Sequence, residues 1–175
     1  MEDSILWLDV ETSGLDSRFH ELLEIGAMLT DFTGQLLAEP YSALIAKPNL
    51  SRVIEESSNE AFEMHQKNNL WLELWDACAV HPLHEISSQL IELLEQAPQG
   101  LVHPGGTSLY LDLAFVRMEL PDVTERLSHQ VMDTSSLKLM AEHSQATPPF
   151  MRKGLHRALP DAEDALNEYR YYLNR

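Results

Sequence analysis

The chain has 175 residues, of which 44% are hydrophobic, enough for one packed core and too many for a disordered chain. It carries 28 Asp and Glu against 12 Lys and Arg, a formal net charge of −16. This balance argues against a basic stripe that grips long DNA or RNA. A nucleic-acid substrate would have to be short, with metal ions supplying much of the positive charge.

The length of the chain, its apolar runs and its cysteine content predict one cytoplasmic domain over residues 1–175. No apolar run is long enough to cross a bilayer, and the acidic start of the chain lacks the basic region of a signal peptide. The single cysteine, Cys78, excludes an internal disulfide framework and fits a reducing cytoplasm. We expect Cys78 to be a small buried residue on a helix.

The first third of the chain reads as strands. Residues 5–10 form a continuous apolar run closed by an acid, as in a strand buried on both faces. Residues 22–30 and 35–45 follow, joined around Thr33 and Gly34, which predicts a hairpin. Pro40 inside the third segment indicates an edge strand or a bulge.

Helical patterns and short strands alternate in the rest of the chain. Apolar residues share helix faces at 70–77 and 86–94, and further helices are predicted at 108–118 and from 135. Short strands are expected at 100–103 and 131–132, and Gly105–Gly106 should permit a tight turn. Pro160 and the acids after it predict the start of a final helix. The pattern predicts an α/β fold with helices on both faces of a sheet.

Four acidic positions carry the functional signal. Asp9 and Glu11 close the first strand, and period-2 alternation puts them on one face. Asp112 lies in an otherwise apolar helical stretch, where a lone charge is costly. Asp161 stands at the entrance of the final helix, five residues after His156.

Converging carboxylates repel one another unless divalent cations hold them ionised. Such oxygen ligands suit Mg²⁺ or Mn²⁺, and two ions can clamp both oxygens of a phosphodiester displacement. His156 is the candidate general base, because an imidazole titrates near neutral pH. Each motif is weak alone: strand-end acids are commonly solvated, first-turn acids are ordinary helix capping, and Asp112 could face solvent. Their joint order and spacing favour a catalytic site.

The sequence resembles the DEDDh 3′–5′ exonucleases, and within them most resembles oligoribonuclease. The matching runs span nearly the whole chain: LWLDVETSGLD at 6–16, ELLEIG at 21–26, DLAF at 112–115, MDTSSLK at 132–138 and HRALPD at 156–161. The resemblance implies a ribonuclease H-like fold with a mixed five-stranded sheet flanked by helices. It also implies two Mg²⁺ or Mn²⁺ ions and a homodimer. The implied metal ligands are Asp9, Glu11, Asp112 and Asp161, with His156 as the base.

The same resemblance implies how a short single-stranded RNA or DNA oligonucleotide is held. Leu15 would wedge against the bases beside Thr12, and a pocket histidine is matched by His65. In the family, a contact to the 5′ phosphate explains the preference for dinucleotides. The positions of that contact are matched here by Ser108, Ser135, Ser136 and Gln130.

Several positions depart from the family pattern. Gln130 replaces an arginine, which removes a bidentate phosphate contact. Glu60 replaces a tryptophan, Thr107 an asparagine, and His129 matches an aromatic residue donated across the dimer. The candidates to restore the positive charge are Lys138, His129 and Arg126. Because these changes alter the phosphate cap, a relative specific for DNA dinucleotides is an open alternative.

Three other functions compete. A proofreading or RNase T-like exonuclease acting on longer 3′ ends is disfavoured by the acidic charge and the missing basic stripe. A non-enzymatic binding domain would be favoured by the loss of a metal ligand, yet all five catalytic positions are present. A histidine-based metal regulator is weaker still, because Pro82 lies between His81 and His84 and no second pair accompanies them.

Overall fold

The computed structural model describes residues 2–144 and 148–174. The strands are β1 (Ser4–Thr12), β2 (Leu22–Asp31), β3 (Tyr41–Ile45), β4 (Val80–His81), β5 (Val102–Gly106) and β6 (Met132–Asp133). The helices are α1 (Leu50–Glu55), α2 (Asn59–Lys67), α3 (Leu70–Leu74), α4 (Leu83–Leu94), α5 (Tyr110–Glu119), α6 (Pro121–Thr124), α7 (Thr134–Ser144) and α8 (Ala158–Leu173).

The strands form one mixed sheet in the order β4-β3-β2-β1-β5-β6. The central β1 pairs antiparallel with β2 and parallel with β5. The α/β architecture is as predicted, but the sheet has six strands rather than five. The strand that the sequence did not reveal is β4, whose two residues pair parallel with Leu44 and Ile45 and are too few to show a periodicity.

The predicted hairpin is present, although its second strand is shorter than expected. β2 pairs antiparallel with β3, which begins at Tyr41 rather than at Gln35. Leu36 makes only an isolated bridge to Thr30. Pro40 therefore lies just outside the strand, and the prediction of an edge strand or a bulge is wrong because β3 is covered by β4.

The two faces of β1 bury different cores, as its alternation requires. Leu6 and Leu8 pack with α4 and α5 in the largest apolar cluster. Ile5 and Trp7 face α8, where they pack with Ala162, Ala165, Leu166 and Tyr169. The side chains that follow Trp7 on the same face, at positions 9 and 11, therefore point toward the start of α8.

Two local predictions are corrected by the structure. Cys78 is exposed in a turn after α3, not buried on a helix. Gly105 and Gly106 belong to β5 rather than to a tight turn. A Cβ atom at Gly105 would lie 2.6 Å from Ile5 Cγ2, so this glycine serves close packing. No helix within the described ranges is long and apolar enough to cross a membrane.

Candidate active site

Three predicted acids meet where β1 ends and α8 begins. Among the described residues, one carboxylate oxygen from each of Asp9, Glu11 and Asp161 lies within 4.8 Å of the others. Asp9 and Glu11 sit on the face of β1 that packs on α8, and Asp161 lies in the first turn of that helix. The fold thus brings together residues about 150 positions apart.

Asp112 lies beside these three acids, and its charge is one of the causes that raise the pKa of Asp9. It lies in the first turn of α5 and is only 7% exposed, which excludes a solvent-facing position. Its Oδ1 accepts a hydrogen bond from the backbone N–H of Val10 at 3.1 Å. Because Val10 stands between Asp9 and Glu11, this bond anchors Asp112 beside both.

Burial, with the charges of nearby acids, raises the pKa of each of these four carboxyls. Burial, followed by the charges of Asp112, Glu11 and Asp161, raises the pKa of Asp9 to about 9. Burial and the charge of Glu24 raise the pKa of Glu11 to about 8. Burial also raises the pKa of Asp112 to about 7 and that of Asp161 above its ordinary value. The cluster is thus short of positive charge, which a divalent cation would supply.

His156 lies on the loop that leads into α8. Its side chain is exposed, and its backbone has the left-handed φ of 53°, which is uncommon for a residue with a side chain. It lines a cleft of about 560 Å³ together with Met64, Asn68 and Leu155. Burial raises the pKa of Asp161, but the charge of His156 and backbone hydrogen bonds from Leu155 and His156 oppose the rise. The predicted base is therefore adjacent to one predicted ligand.

A second cleft, of about 710 Å³, opens beside Glu11. It is lined by Thr12 and by Leu15, whose side chain is 75% exposed. Glu60 and Met64 line both this cleft and the cleft that holds His156. The replacement of the expected tryptophan therefore puts an acidic side chain, not a stacking surface, beside the two clefts.

His65 occupies a different place from the one expected of a pocket histidine. Its side chain is 0% exposed, and burial lowers its pKa. Its Nε2 lies 2.9 Å from the backbone oxygen of Thr12, and Trp71 packs edge-on against its ring. His65 thus packs against the end of β1 through its contact with Thr12 and does not line the cleft.

The predicted serines are organised by an acid that the sequence argument did not single out. Asp133 Oδ1 accepts hydrogen bonds from Ser108 N at 3.1 Å, Ser135 N at 2.9 Å and Ser135 Oγ at 2.6 Å. Burial would raise the pKa of Asp133, but the bonds from Ser135, Leu109 and Ser108 lower it. Ser136 is exposed. An aspartate just before a run of small polar residues is a helix-capping signal that could have revealed this role.

The predicted cap position Gln130 lies apart from these serines. Its exposed side chain lines a small pocket with Asp3, Phe32 and His103. The structure also shows where the candidate replacement cations lie. Lys138 pairs with Glu142 and Arg126 with Glu95, each at 3.9 Å, while His129 is exposed.

Arg152 is a guanidinium that the structure brings near Asp9. Its Nη2 donates to Thr134 Oγ1 at 2.8 Å and also contacts Thr107 and the buried Glu168. Its charge lowers the pKa of Asp9, against the larger effect of burial. Nothing in its sequence neighbourhood marks this position, because the contact depends on how the loop before α8 folds back.

Solved structures of exonuclease I share this fold. The zinc-bound complex of E. coli exonuclease I with single-stranded DNA superposes with a TM-score of 0.74 at 14% identity, over 100% of this chain and 41% of that one. A second exonuclease I structure gives a TM-score of 0.76 at 12% identity, with 99% and 41% coverage. The chain therefore spans about two fifths of these enzymes. These likenesses show that the chain has the fold of the exonuclease I structures over its whole described length.

Relatives found by sequence comparison are more similar to this chain than these structures are. The oligoribonuclease of Corynebacterium glutamicum is 28% identical over 98% of this chain and 78% of its own length. The probable oligoribonuclease of Schizosaccharomyces pombe is 26% identical over 98% and 68%. The oligoribonuclease of Francisella tularensis is 25% identical over 97% and 94%. No family profile matches the chain. Over nearly its whole length the chain is therefore similar to oligoribonucleases.

Proposed function

We propose that residues 1–175 form a single domain that hydrolyses the 3′-terminal phosphodiester of very short single-stranded oligonucleotides. The products would be 5′-mononucleotides, and dinucleotides the preferred substrates. The observation that carries this proposal is the meeting of Asp9, Glu11 and Asp161 oxygens within 4.8 Å at the end of β1. Asp112 and the exposed His156 complete the five-residue set that the resemblance implies.

The residues present fit a divalent cation. The donors are carboxylate oxygens, the ligand type of Mg²⁺ and Mn²⁺. Their pKa values are raised first by burial and then by the charges of neighbouring acids, and a bound cation would offset both effects. Asp9, Glu11, Asp112 and Asp161 would hold two such ions. When bound, these ions supply Lewis acidity and stabilise the charge that develops on the reacting oxygens.

His156 would take the proton from the attacking water on a ring nitrogen. Its exposed side chain beside the acidic cluster is open to water and to a substrate end. A general base of this kind contributes roughly 10²- to 10⁴-fold to a rate. In this proposal the carboxylates would hold the ions against the reacting phosphate. His156 accepts the proton of the attacking water, and the leaving 3′ oxygen takes a proton from solvent.

The clefts favour a small substrate. Leu15 and Thr12 would meet the bases in the apolar cleft, while Ser108 and Ser135, with Ser136 at the rim, would meet a 5′ phosphate. Long chains are disfavoured because the net charge is −16 and Glu60 lines both clefts. Each added phosphate would meet repulsion rather than a counterion-releasing contact.

A further question is whether the preferred substrate is RNA or DNA. Gln130 lies with His103 rather than with the serines, so the phosphate cap differs from the one that the family resemblance implies. A relative specialised for DNA dinucleotides is the alternative that this change motivates. Faster cleavage of the RNA member of a matched dinucleotide pair would exclude it.

Assembly and location belong to the same proposal. We propose a homodimer, since large apolar side chains remain exposed on α7, with Leu139 at 57% and Met140 at 69% exposure. Light scattering that shows only a monomer would refute it. An exposed free thiol at Cys78 is suited to the reducing cytoplasm.

The test is a length ladder. Purified protein with Mn²⁺ would be given 5′-phosphorylated RNA and DNA oligonucleotides of two to seven residues, each at equal concentration. Rapid loss of dinucleotides with slow loss of longer chains is the expected result. Equal stepwise shortening of every length would instead support a general 3′ exonuclease.

A further inference from the structure

Arg157 joins three separate elements next to the proposed base. Its Nε and Nη2 donate to both carboxylate oxygens of Glu24, at 2.9 and 3.0 Å. Its Nη1 and Nη2 donate to both oxygens of Glu73, at 3.0 and 2.7 Å. Two bidentate pairs on one guanidinium fix its position and its plane far more strongly than a single contact would.

The two acids hold Arg157 from different sides. Glu24 lies on β2 directly opposite Glu11 and is 3% exposed, so its charge needs a partner. Glu73 lies on α3 with its side chain 41% exposed. Arg157 therefore ties the loop before α8 both to the sheet beneath the acidic cluster and to the helix beside it.

The loop segment at His156 is held at its backbone as well. Asn68, just after α2, donates from Nδ2 to the His156 carbonyl oxygen. The chain at His156 has a φ of 53°, a conformation that persists only where the surroundings impose it. The following residues pack tightly on β2, since a Cβ atom at Gly26 would lie 2.3 Å from the nitrogen of Leu159.

We propose that Arg157, Glu24, Glu73 and Asn68 form a clamp that sets the position of His156 relative to the acidic cluster. The His156 side chain is exposed and gains little orientation from packing, so its aim depends on its backbone. That backbone is fixed by the residue after it and by Asn68. These four are positioning residues, because none of them touches the reacting atoms. The inference rests on the proposed function, in which His156 is the base.

Glu73 offers the sharpest test because it is half-exposed and its loss should not unfold the chain. Glu73→Ala removes one bidentate pair, and Glu73→Gln keeps one acceptor and should lie between. The matched control is Glu56→Ala, which removes a carboxylate of similar exposure, 57%, from its pair with Arg52. Each variant would be compared by dinucleotide kinetics, Mn²⁺ titration calorimetry and hydrogen–deuterium exchange of the peptide that contains His156.

In Glu73→Ala we expect faster amide exchange around His156 and a kcat reduced about tenfold, since small misplacements of a catalytic group are costly. KM and the Mn²⁺ dissociation constant should stay within about twofold. The control should match the wild type. Asn68→Ala should reproduce the exchange and kcat changes from the other side of the loop.

Wild-type exchange and wild-type kcat in both Glu73→Ala and Asn68→Ala would overturn the clamp. An equal loss of kcat, metal affinity and melting temperature would also overturn it, because that pattern indicates general destabilisation. Absence of cleavage by the wild-type protein would refute the proposed function instead, while the exchange comparison still decides whether the clamp holds the loop.

Discussion

Removing one charge from the acidic cluster should stabilise the metal-free fold while destroying the site. Asp112→Asn keeps an Oδ1 acceptor for the backbone N–H of Val10, now 3.1 Å away, and removes only the charge. Burial raises the pKa of Asp112 from 3.8 to about 7. Because folding raises the pKa of this carboxyl, its ionisation disfavours the folded state. The free energy of unfolding therefore falls as the pH rises from about 4 through about 7.

The size of the effect follows from that pKa. Each tenfold change in an ionisation equilibrium is worth about 1.4 kcal/mol, so the ionised carboxyl costs the metal-free fold up to ~4 kcal/mol at pH 8. The carboxyls of the cluster titrate together, so part of this cost belongs to the neighbours of Asp112. We therefore expect Asp112→Asn to raise the free energy of unfolding by ~1 to ~4 kcal/mol. At pH 5 the folded carboxyl is still mostly protonated while the unfolded one is already ionised, so the cost is at most ~2 kcal/mol and the gain should be less than half of its value at pH 8.

Urea unfolding of chelator-treated wild type and Asp112→Asn at pH 5 and pH 8 measures this difference. Adding Mn²⁺ at pH 8 should raise the stability of the wild type and leave the variant nearly unchanged. A variant that is no more stable than the wild type at pH 8, or that gains equally at both pH values, would refute the electrostatic account of the cluster.

Four further outcomes are expected. Asp9→Ala should abolish oligonucleotide turnover while circular dichroism shows a folded chain; a near wild-type rate would contradict the metal-site assignment. His156→Ala should lower kcat by roughly 10²- to 10⁴-fold with Mn²⁺ binding retained in calorimetry. Asp133→Asn should raise KM for 5′-phosphorylated dinucleotides more than for unphosphorylated ones, because it loosens the serines. Gly26→Ala should lower the melting temperature markedly, since its Cβ atom would lie 2.3 Å from the nitrogen of Leu159.

Sequence patterns predicted the fold and the acids because both depend on local periodicity and on motif order. Alternation along residues 5–11 was enough to put Asp9 and Glu11 on one face, and the structure shows that this face meets α8. The apolar stretch around Asp112 indicated a buried carboxyl, and Asp112 is 7% exposed. These inferences needed no knowledge of distant contacts.

The remaining features depend on long-range contacts that no local pattern encodes. β4 has only two residues and exists because β3 offers them an edge. His65 has the sequence context of a pocket residue, yet the packing of α2 buries it under Thr12. Arg152 and Arg157 reach their partners through the fold of the loop before α8, and Arg157 meets Glu73 across a sequence separation of 84 positions. Their roles become visible only in three dimensions.

We expect cleavage from the 3′ end by a metal-bound acidic cluster. The most direct measurement follows a pentanucleotide labelled with different fluorophores at its two ends, incubated with chelator-treated protein before and after Mn²⁺ is added. We expect no cleavage without metal. After Mn²⁺ is added, the 3′-terminal nucleotide should be released first, as a 5′-mononucleotide, and Asp9→Ala should be inactive under both conditions. Internal cuts, release from the 5′ end, or cleavage that persists in Asp9→Ala would contradict it.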